Sequence, residues 1–278
     1  MAEPLSDQNF ILLCRKGTVE EIMEQIERGA NVNAKDSYGN TPLICALNHD
    51  PNSELITALI EAGADVNAQN EQFDTPLYRA VYNHLAPKIV ITLVEAGANV
   101  NCCGRYGITP LHLAAEYYPD PKVITTLLEA GADEGIDDGD GYGQTALSGA
   151  ACHNSNPEVV AALLKAGADL DWRDNFGATP LSLAAAHSPA PEIVKLLIEA
   201  GADVNCCDPF GRTPLMWALL DEKAPQKKAK LLLEAGADAK KVDKEGRRAI
   251  DYAKENTVLY ILGDTDDTLQ LLERASLD

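Results

Sequence analysis

The chain has 278 residues, with 23 lysines and arginines against 43 aspartates and glutamates, so its formal charge is −20. Hydrophobic residues make up 46% of the sequence and charged residues 24%, a composition that excludes wholesale disorder. So acidic a surface repels phosphate groups, and we expect neither nucleic acid nor a membrane as a partner.

The N-terminal region carries an acid at Glu3, and its longest apolar stretch runs only from Phe10 to Cys14. We therefore expect neither a signal peptide nor a membrane anchor. The seven cysteines are an odd number with no secretory signal beside them. This favours free thiols in a reducing, cytoplasmic setting over a disulfide framework.

The first predicted elements are two helices, from Asp7 to Lys16 and from Thr18 to Arg28. Acidic and amide side chains crowd the second of these helices. A polar outer face is what a terminal unit of a repeat array needs for solubility. We therefore interpret residues 1–34 as an N-terminal cap. The crowding residues are Glu20, Glu21, Glu24, Gln25 and Glu27.

From residue 35 the sequence repeats itself. Thr-Pro occurs at residues 41, 75, 109, 179 and 213, Thr145-Ala146 fills the one gap, and successive threonines are 34, 34, 36, 34 and 34 residues apart. A second marker, Gly-Ala followed by Asp or Asn, keeps nearly the same step from Gly29 to Gly236. Two markers with one period predict a repeat array, with six full repeats over residues 35–243.

Each repeat predicts two helices and a turn. Thr is a good N-cap, and Pro suits the first helical position because its missing N–H would have no partner there. A second helix with helical spacing of its apolar residues follows, as in residues 193–198. Gly then ends that helix in a left-handed conformation. The residues before the next Thr, such as 36–39, have the composition of a turn.

The C-terminal part departs from this pattern. Residues 248–253, Arg-Ala-Ile-Asp-Tyr-Ala, replace the usual segment that begins with Thr-Pro, and a last helix is predicted from Leu269 to Arg274. We interpret residues 244–278 as a C-terminal cap.

These segments resemble the ankyrin repeat family, above all Gly107–Ala115 (Gly-Ile-Thr-Pro-Leu-His-Leu-Ala-Ala) and Leu127–Asp133 (Leu-Leu-Glu-Ala-Gly-Ala-Asp). The resemblance covers almost the whole chain, with a connector one residue longer than is usual in the family, and its terminal units are similar to those of bacterial arrays. It implies an all-α solenoid of stacked helix-turn-helix repeats with β-hairpin-like turns, in one domain over 1–278. It also implies that protein partners bind on the concave side.

Two series of side chains are expected on that concave side. One series stands three residues before each Thr, and the other stands seven or eight residues after it. Of the chain's 15 aromatic residues, seven lie in these two series, and aromatic side chains are typical interface anchors. The alternative, that turn aromatics simply pack on the neighbouring turn, stays open. The predicted partner-binding residues are Tyr38, Gln72, Tyr106, Tyr142, Phe176 and Phe210 of the first series, and His49, Tyr82, Tyr117, His153 and His187 of the second.

One turn breaks the pattern, because Phe73 stands where the other turns have Gly. A bulky side chain at a glycine position predicts a different turn there. Together with a longer acidic turn at residues 133–142, this makes the surface around repeats two to four the preferred docking zone.

Histidines and cysteines offer metal ligands, but their spacing argues against a shared site. His153 and His187 occupy equivalent places in neighbouring repeats, about 10 Å apart, and two zinc-bound nitrogens must lie within about 3.5 Å. Cys102-Cys103 and Cys206-Cys207 stand three repeats apart. We expect no metal, and we expect His112 to hold its turn by hydrogen bonds, as the resemblance implies.

Two charged segments remain. The acidic turn Glu134–Asp140 does not have the acid spacing of an EF-hand loop, so we interpret it as an acidic edge; weak calcium binding or docking to a basic partner stays open. From Lys223 to Arg248 there are nine basic and four acidic residues, which we interpret as a solvated face. This stretch offers a surface for an acidic partner or for head-to-tail self-association.

The sequence contains no nucleophile–base motif, no phosphate-binding loop and no His-Glu-x-x-His. We therefore expect a non-catalytic, monomeric protein-binding scaffold without a cofactor, whose charge favours a basic protein partner. The alternatives are a regulatory inhibitor that covers a partner enzyme's active site, a metal or catalytic protein that uses the His and Cys positions, and a stability scaffold without a ligand.

Overall fold

A computed structural model describes residues 3–49, 51–132, 136–221, 223–256 and 265–277. Within these residues the chain forms sixteen α-helices and one 3₁₀ helix, Arg105–Gly107, and no β-strand. The predicted all-α fold is therefore confirmed.

The α-helices follow one another as eight pairs, each made of a first and a second helix. In chain order the pairs are α1 (Asp7–Lys16) and α2 (Val19–Glu27), α3 (Pro42–His49) and α4 (Ser53–Glu61), α5 (Pro76–Tyr82) and α6 (Pro87–Glu95), α7 (Pro110–Tyr117) and α8 (Pro121–Glu129), α9 (Ala146–His153) and α10 (Pro157–Lys165), α11 (Pro180–His187) and α12 (Pro191–Glu199), α13 (Pro214–Leu220) and α14 (Pro225–Glu234), and α15 (Ala249–Glu255) and α16 (Thr265–Ala275).

The chain divides into two compact units. Unit 1 spans Met1–Ala114 and Lys122–Gly135, and unit 2 spans Ala115–Pro121 and Ile136–Asp278. In unit 1 the first helices α1, α3 and α5 pack in succession, and so do the second helices α2, α4 and α6. In unit 2 the same two layers are formed by α9, α11, α13 and α15 and by α10, α12, α14 and α16. The single-domain interpretation of residues 1–278 stays a prediction.

The first helices are buried on nearly all sides because they lie between their neighbours. In α11, every residue from Pro180 to Ala186 is buried, which is the pattern of a helix that is apolar all round. Thr179 caps this helix as predicted, since its hydroxyl accepts a hydrogen bond from the Ser182 N–H. Thr75, Thr145 and Thr213 cap α5, α9 and α13 in the same way.

The second helices bury only one face. In α12 the buried residues are Ile193, Val194 and Leu197, an i, i+1, i+4 set that forms a single stripe. The glycine after each second helix from α2 to α14, for example Gly201 with φ 99°, adopts the left-handed conformation that the sequence predicts for a helix stop. One expectation for the N-terminal cap is wrong: Gln25 is buried, and its Oε1 accepts a hydrogen bond from the Leu5 N–H.

A ladder of side-chain amides links several repeats to the next. In unit 1, the Asn67 Nδ2 donates to the Gly97 carbonyl at 3.1 Å, and its Oδ1 accepts from the Asn99 N–H at 2.7 Å. Asn33 and Asn205 make the same two bonds with their own following repeats. The equivalent residue Asp171 has no donor, and its carboxylate accepts only a long bond of 3.4 Å from the Asp203 N–H.

This comparison predicts a stabilising substitution. Asp171→Asn should add a donor facing the Gly201 carbonyl and raise the free energy of unfolding by about 0.5–1 kcal/mol, the net value of one hydrogen bond. Asn67→Asp should lower it by a similar amount. Urea unfolding at pH 7 measures both changes, and Asp138→Asn, at an exposed acid outside the ladder, controls for the lost charge. No difference between the Asp171 and Asp138 variants would contradict the ladder.

The last turn is tied to α15 by a compact charged cluster. The Asp243 Oδ2 accepts hydrogen bonds from the Tyr252 hydroxyl at 2.5 Å and from the Arg247 Nε at 3.0 Å. Desolvation acts to raise the pKa of Asp243, but these bonds and two from backbone N–H groups lower that pKa to about 2. Burial and the neighbouring carboxylate raise the pKa of Tyr252 to about 12.

The depressed pKa predicts a specific acid dependence. Because Asp243 titrates near 2 in the fold and near 3.8 otherwise, its carboxylate stabilises the fold above about pH 4 and loses that contribution as the pH falls toward 2. Asp243→Asn should therefore lower stability at pH 7 and flatten the loss of stability between pH 4 and 2. Urea midpoints across that range, compared with those of Asp138→Asn, measure the effect; an unchanged acid slope would contradict it.

Candidate functional site

The turns present the first predicted series of side chains through one repeated device. In unit 2, the Asp174 Oδ1 accepts hydrogen bonds from the Phe176 N–H at 2.9 Å and the Ala178 N–H at 2.8 Å. These bonds close a tight turn, in which Gly177 has φ 77°, and leave the Phe176 ring 63% exposed at its tip. The same side chain–backbone bonds are made by Asp36, Asn70, Asp140, Asp208 and Asp243.

The predicted residues are accordingly exposed. In the first series the aromatic side chains are 56–69% exposed, and Gln72 is exposed as well. The second series forms the last residues of first helices, where the two tyrosines are 52% and 49% exposed and the three histidines are exposed too. These last residues are His49 of α3, Tyr82 of α5, Tyr117 of α7, His153 of α9 and His187 of α11.

The turn at Phe73 does not differ from the others, so that expectation is wrong. Phe73 adopts φ 64°, in the left-handed region that Gly39 and Gly177 occupy in their turns. Its N–H bonds to the Asn70 carbonyl at 3.0 Å, as the Gly39 N–H bonds to the Asp36 carbonyl. The two side chain–backbone bonds from Asn70 hold the turn, and the phenylalanine accepts a strained conformation instead of changing it.

The irregular turn lies one repeat later. Gly104 replaces the capping Asp or Asn because the Tyr78 ring fills the space, and a Cβ on Gly104 would lie 2.2 Å from Cζ of that ring. Without the capping side chain the turn becomes a 3₁₀ helix, in which Tyr106 adopts φ 64° and remains 69% exposed. Aligning the repeats shows that Gly104 stands where the other turns have Asp or Asn. The alignment does not show the reason, because Tyr78, whose ring excludes a side chain at Gly104, belongs to the preceding repeat.

Three predicted residues line one cleft in unit 1, which we call the tyrosine cleft and which has a volume of about 360 Å³. The Tyr78 and Tyr82 rings are stacked, with centroids 6.1 Å apart. The Arg79 guanidinium lies over the Tyr82 ring, and its Nη1 lies 3.5 Å from the buried Asp74 carboxylate. The cleft is lined by Gln72, Asp74, Tyr78, Arg79, Tyr82, Tyr106 and Ile108.

A second cleft, in unit 2, is mostly apolar and has a volume of about 260 Å³; we call it the aromatic cleft. The predicted residues Phe176, His187 and Phe210 meet there around Trp217. The Arg212 guanidinium lies between two rings, 4.9 Å from the Phe210 centroid and 3.9 Å from that of Trp217. Its Nε donates to the Asp208 carboxylate at 2.7 Å.

A third cleft adjoins the aromatic cleft and shares Ala186, His187 and Trp217 with it. This histidine cleft has a volume of about 410 Å³. Its remaining lining residues are His153, Leu220, Asp221 and Lys223. The other predicted residues, Tyr38, His49, Tyr117 and Tyr142, lie outside these three clefts.

Arg79, Arg212 and Trp217 were not predicted as site residues. Arg79 and Trp217 both stand four residues after the Thr of their repeats, where the remaining repeats have Cys, Leu or Gly. Comparing that one position across the repeats would have revealed them.

The cysteine and histidine positions show local roles. The Cys102 and Cys206 thiols are buried against the threonine hydroxyls of the preceding caps, at 3.1 Å and 3.3 Å. His112 holds its turn as expected, with its Nδ1 2.8 Å from the Thr109 hydroxyl. Among the described residues, no group of three or more His, Cys, Asp or Glu could hold a metal ion.

The acidic turn is described only in part, because residues 133–135 lie outside the described residues. In the remainder, Asp140 caps its turn like the other repeats, and the Asp137 Oδ1 accepts a hydrogen bond from the Asp169 N–H at 2.8 Å. Two of its carboxylates therefore bind backbone N–H groups.

The family profile described as ankyrin repeats, in three copies, matches residues 48–138, 111–206 and 183–270. The chain belongs to the ankyrin repeat family. A comparison with curated proteins gives no match to this ankyrin chain. In the described part of the chain, no helix has both the length and the apolar character needed to cross a bilayer.

One ankyrin repeat of unit 2 contains a buried ion pair that the sequence does not predict. Lys228 belongs to the stretch interpreted as a solvated face, yet its side chain is 0% exposed. Its Nζ donates to the Asp221 Oδ2 at 2.5 Å and to the Ala185 carbonyl at 3.3 Å. For this residue the prediction of a solvated face is wrong, because α14 turns it inward beneath the histidine cleft.

The electrostatics of the histidine cleft follow from this pair. Burial lowers the pKa of Lys228, and the hydrogen bond and charge of Asp221 oppose that change. Partial burial also lowers the pKa of His187, and the nearby His153, Lys228 and Lys223 lower it further against the opposing effect of Asp221. Burial is therefore the main reason that the charged form of His187 is disfavoured.

The buried pair predicts strong coupling. Lys228→Met should lower the free energy of unfolding by about 3–5 kcal/mol, because it leaves the Asp221 charge buried without a partner. Adding Asp221→Asn should recover at least half of that loss. Urea unfolding at pH 7 measures the cycle, and Lys227→Met, at an exposed neighbour, should change stability by less than about 0.5 kcal/mol. Equal losses in the single and double variants would show that the pair is not coupled.

Proposed function

We propose that this ankyrin protein is a non-catalytic scaffold that binds a protein partner through the two predicted series of side chains, on the concave side that the family uses. The observation that carries the proposal is the exposure of all seven aromatic side chains in these series, at 49–69%. Rings this exposed bury little area on neighbouring turns, which supports binding over the alternative explanation for their regular spacing.

Exposed rings of this kind suit an interface. Tyr and Phe bury a large area with few rotatable bonds, so they lose little conformational entropy when a partner covers them. Arg79 and Arg212 lie against such rings in the tyrosine and aromatic clefts, and Arg is the other side chain enriched at binding hot spots. The two clefts are therefore the positions where partner side chains would be anchored.

The charge of the chain supports a partner of opposite sign. With a formal charge of −20, the protein attracts a basic partner before contact, which raises the association rate more than the final affinity. We propose a cytoplasmic monomer that meets such a partner, with no cofactor and no reaction.

Tyr106→Ala combined with Phe176→Ala tests the proposal. Because both rings are exposed and the backbone at each position suits Ala as well as the native residue, the thermal midpoint should fall by no more than a few degrees. Capture of the partner from native lysate, identified by mass spectrometry, should be abolished. The control is Leu12→Ala, at an exposed apolar residue of α1 outside both series, which should leave capture unchanged.

The double variant also has an outcome that contradicts the proposal. If it unfolds the protein, the rings are packing elements, and their exposure is not evidence of binding. If it folds and still captures the same partner, the two series are not the binding surface.

A further inference from the structure

The aromatic cleft and the histidine cleft share one wall but differ in chemistry. Phe176, Phe210 and Trp217 give the aromatic cleft its apolar surface. The histidine cleft adds Lys223, Asp221 and a second imidazole, that of His153. Since Ala186, His187 and Trp217 line both, a short extended segment can occupy the two at once.

The charged side chains at the histidine cleft differ in how they are paired. Asp221 lies in its wall, but Lys228 beneath it neutralises that carboxylate across 2.5 Å. His153 has one acidic neighbour, Glu116, with 3.7 Å between Nε2 and Oε1. Lys223 is exposed, and no described carboxylate lies within ion-pair distance of it. An anionic group in the cleft would thus meet the Lys223 ammonium and the N–H groups of two imidazoles, while the Asp221 carboxylate beside it is already paired with Lys228.

We propose that unit 2 recognises a peptide segment that carries an apolar side chain followed by a carboxylate. The side chain enters the aromatic cleft, and the carboxylate enters the histidine cleft. This inference rests on the proposed function and names the partner chemistry for one part of that surface. A net negative chain is compatible with it, because charges more than about 8–10 Å away are screened while those lining the cleft act at contact.

The test uses three small probes on the full chain. N-Acetyl-L-phenylalanine carries both the ring and the carboxylate, N-acetyl-L-phenylalaninamide carries the ring alone, and acetate carries the carboxylate alone. The readout is the emission of Trp217 in a Trp172→Phe variant, which leaves Trp217 as the single tryptophan. Calorimetry on the unsubstituted chain repeats the titration, so the result does not depend on that variant.

The acid should produce a saturable change, and the amide should bind at least fivefold more weakly. Equal affinities for acid and amide, or no saturable change with either, would overturn the inference.

Single substitutions separate the two clefts. Lys223→Gln should reduce binding of the acid to the level of the amide, whereas Phe210→Ala should weaken both by a similar factor. Lys227→Gln is the matched control, because it removes an exposed lysine that does not line the cleft, and it should change neither affinity. If Lys227→Gln weakens binding of the acid as much as Lys223→Gln does, the net charge of the protein and not the histidine cleft attracts the carboxylate, which would contradict the inference.

Two further outcomes are informative. A concentration-dependent dimer in sedimentation that Phe210→Ala abolishes would assign the clefts to a second copy of the chain and overturn the peptide proposal. If the probes fail while partner capture still depends on Tyr106 and Phe176, this inference falls and the proposed function stands. If the probes bind but capture does not depend on those rings, the proposed function falls instead.

Discussion

The candidate binding surface depends largely on one interaction, the two hydrogen bonds that a side-chain oxygen accepts from backbone N–H groups at the start of the turns other than the one at Gly104. Asp174 and Asp208 use Oδ1 for this purpose. The bonds fix the turn, and its tip residue projects into solvent. At Asp208 the second oxygen binds Arg212, and this ion pair holds the guanidinium between two aromatic rings. A single carboxylate therefore shapes the turn, exposes the aromatic side chain and orders the cationic wall beside it. A surface ordered in advance loses less entropy on binding than a flexible one.

Strain in the backbone marks unit 1 in a way that repetition alone does not explain. Four described non-glycine residues have positive φ, and three of them, Phe73, His84 and Tyr106, lie within about one repeat length of each other. Each such residue costs of order 1 kcal/mol and persists only where its surroundings determine it. For Phe73 the determinant is the cap from Asn70, and for Tyr106 it is the Tyr78 ring that excludes a side chain at Gly104. Tyr78 and Tyr106 both line the tyrosine cleft. The strained backbone at Tyr106 therefore helps to form that cleft.

The sequence predicts well what is local to one repeat. The helix pairs, the threonine caps and the glycine stops follow from neighbouring residues and were all anticipated, as was the exposed position of the candidate site residues along the chain. The errors concern contacts that a single position in the sequence does not reveal, whether within a turn or between segments. Phe73 was expected to alter its turn because the strength of the Asn70 cap is not visible in the residue itself. Lys228 was interpreted as solvated because its partner Asp221 and the Ala185 carbonyl come from other segments. The three clefts were not predicted for the same reason, since each is lined by residues of successive repeats.

The buried lysine gives the surface a property that an exposed lysine could not provide. An exposed ammonium beside Asp221 would be screened by water and salt, and the carboxylate would still repel an anion. Lys228 lies on the inner side of that carboxylate and is shielded from solvent. The attraction between the two charges is therefore not screened, and the lysine side chain takes up no space in the cleft. Burying the pair is costly, because both charges lose their hydration. The arrangement is therefore poorly explained as a device for stability, which apolar side chains of the same size would serve as well. It is better explained by the cleft above it, in which the Asp221 carboxylate is already paired.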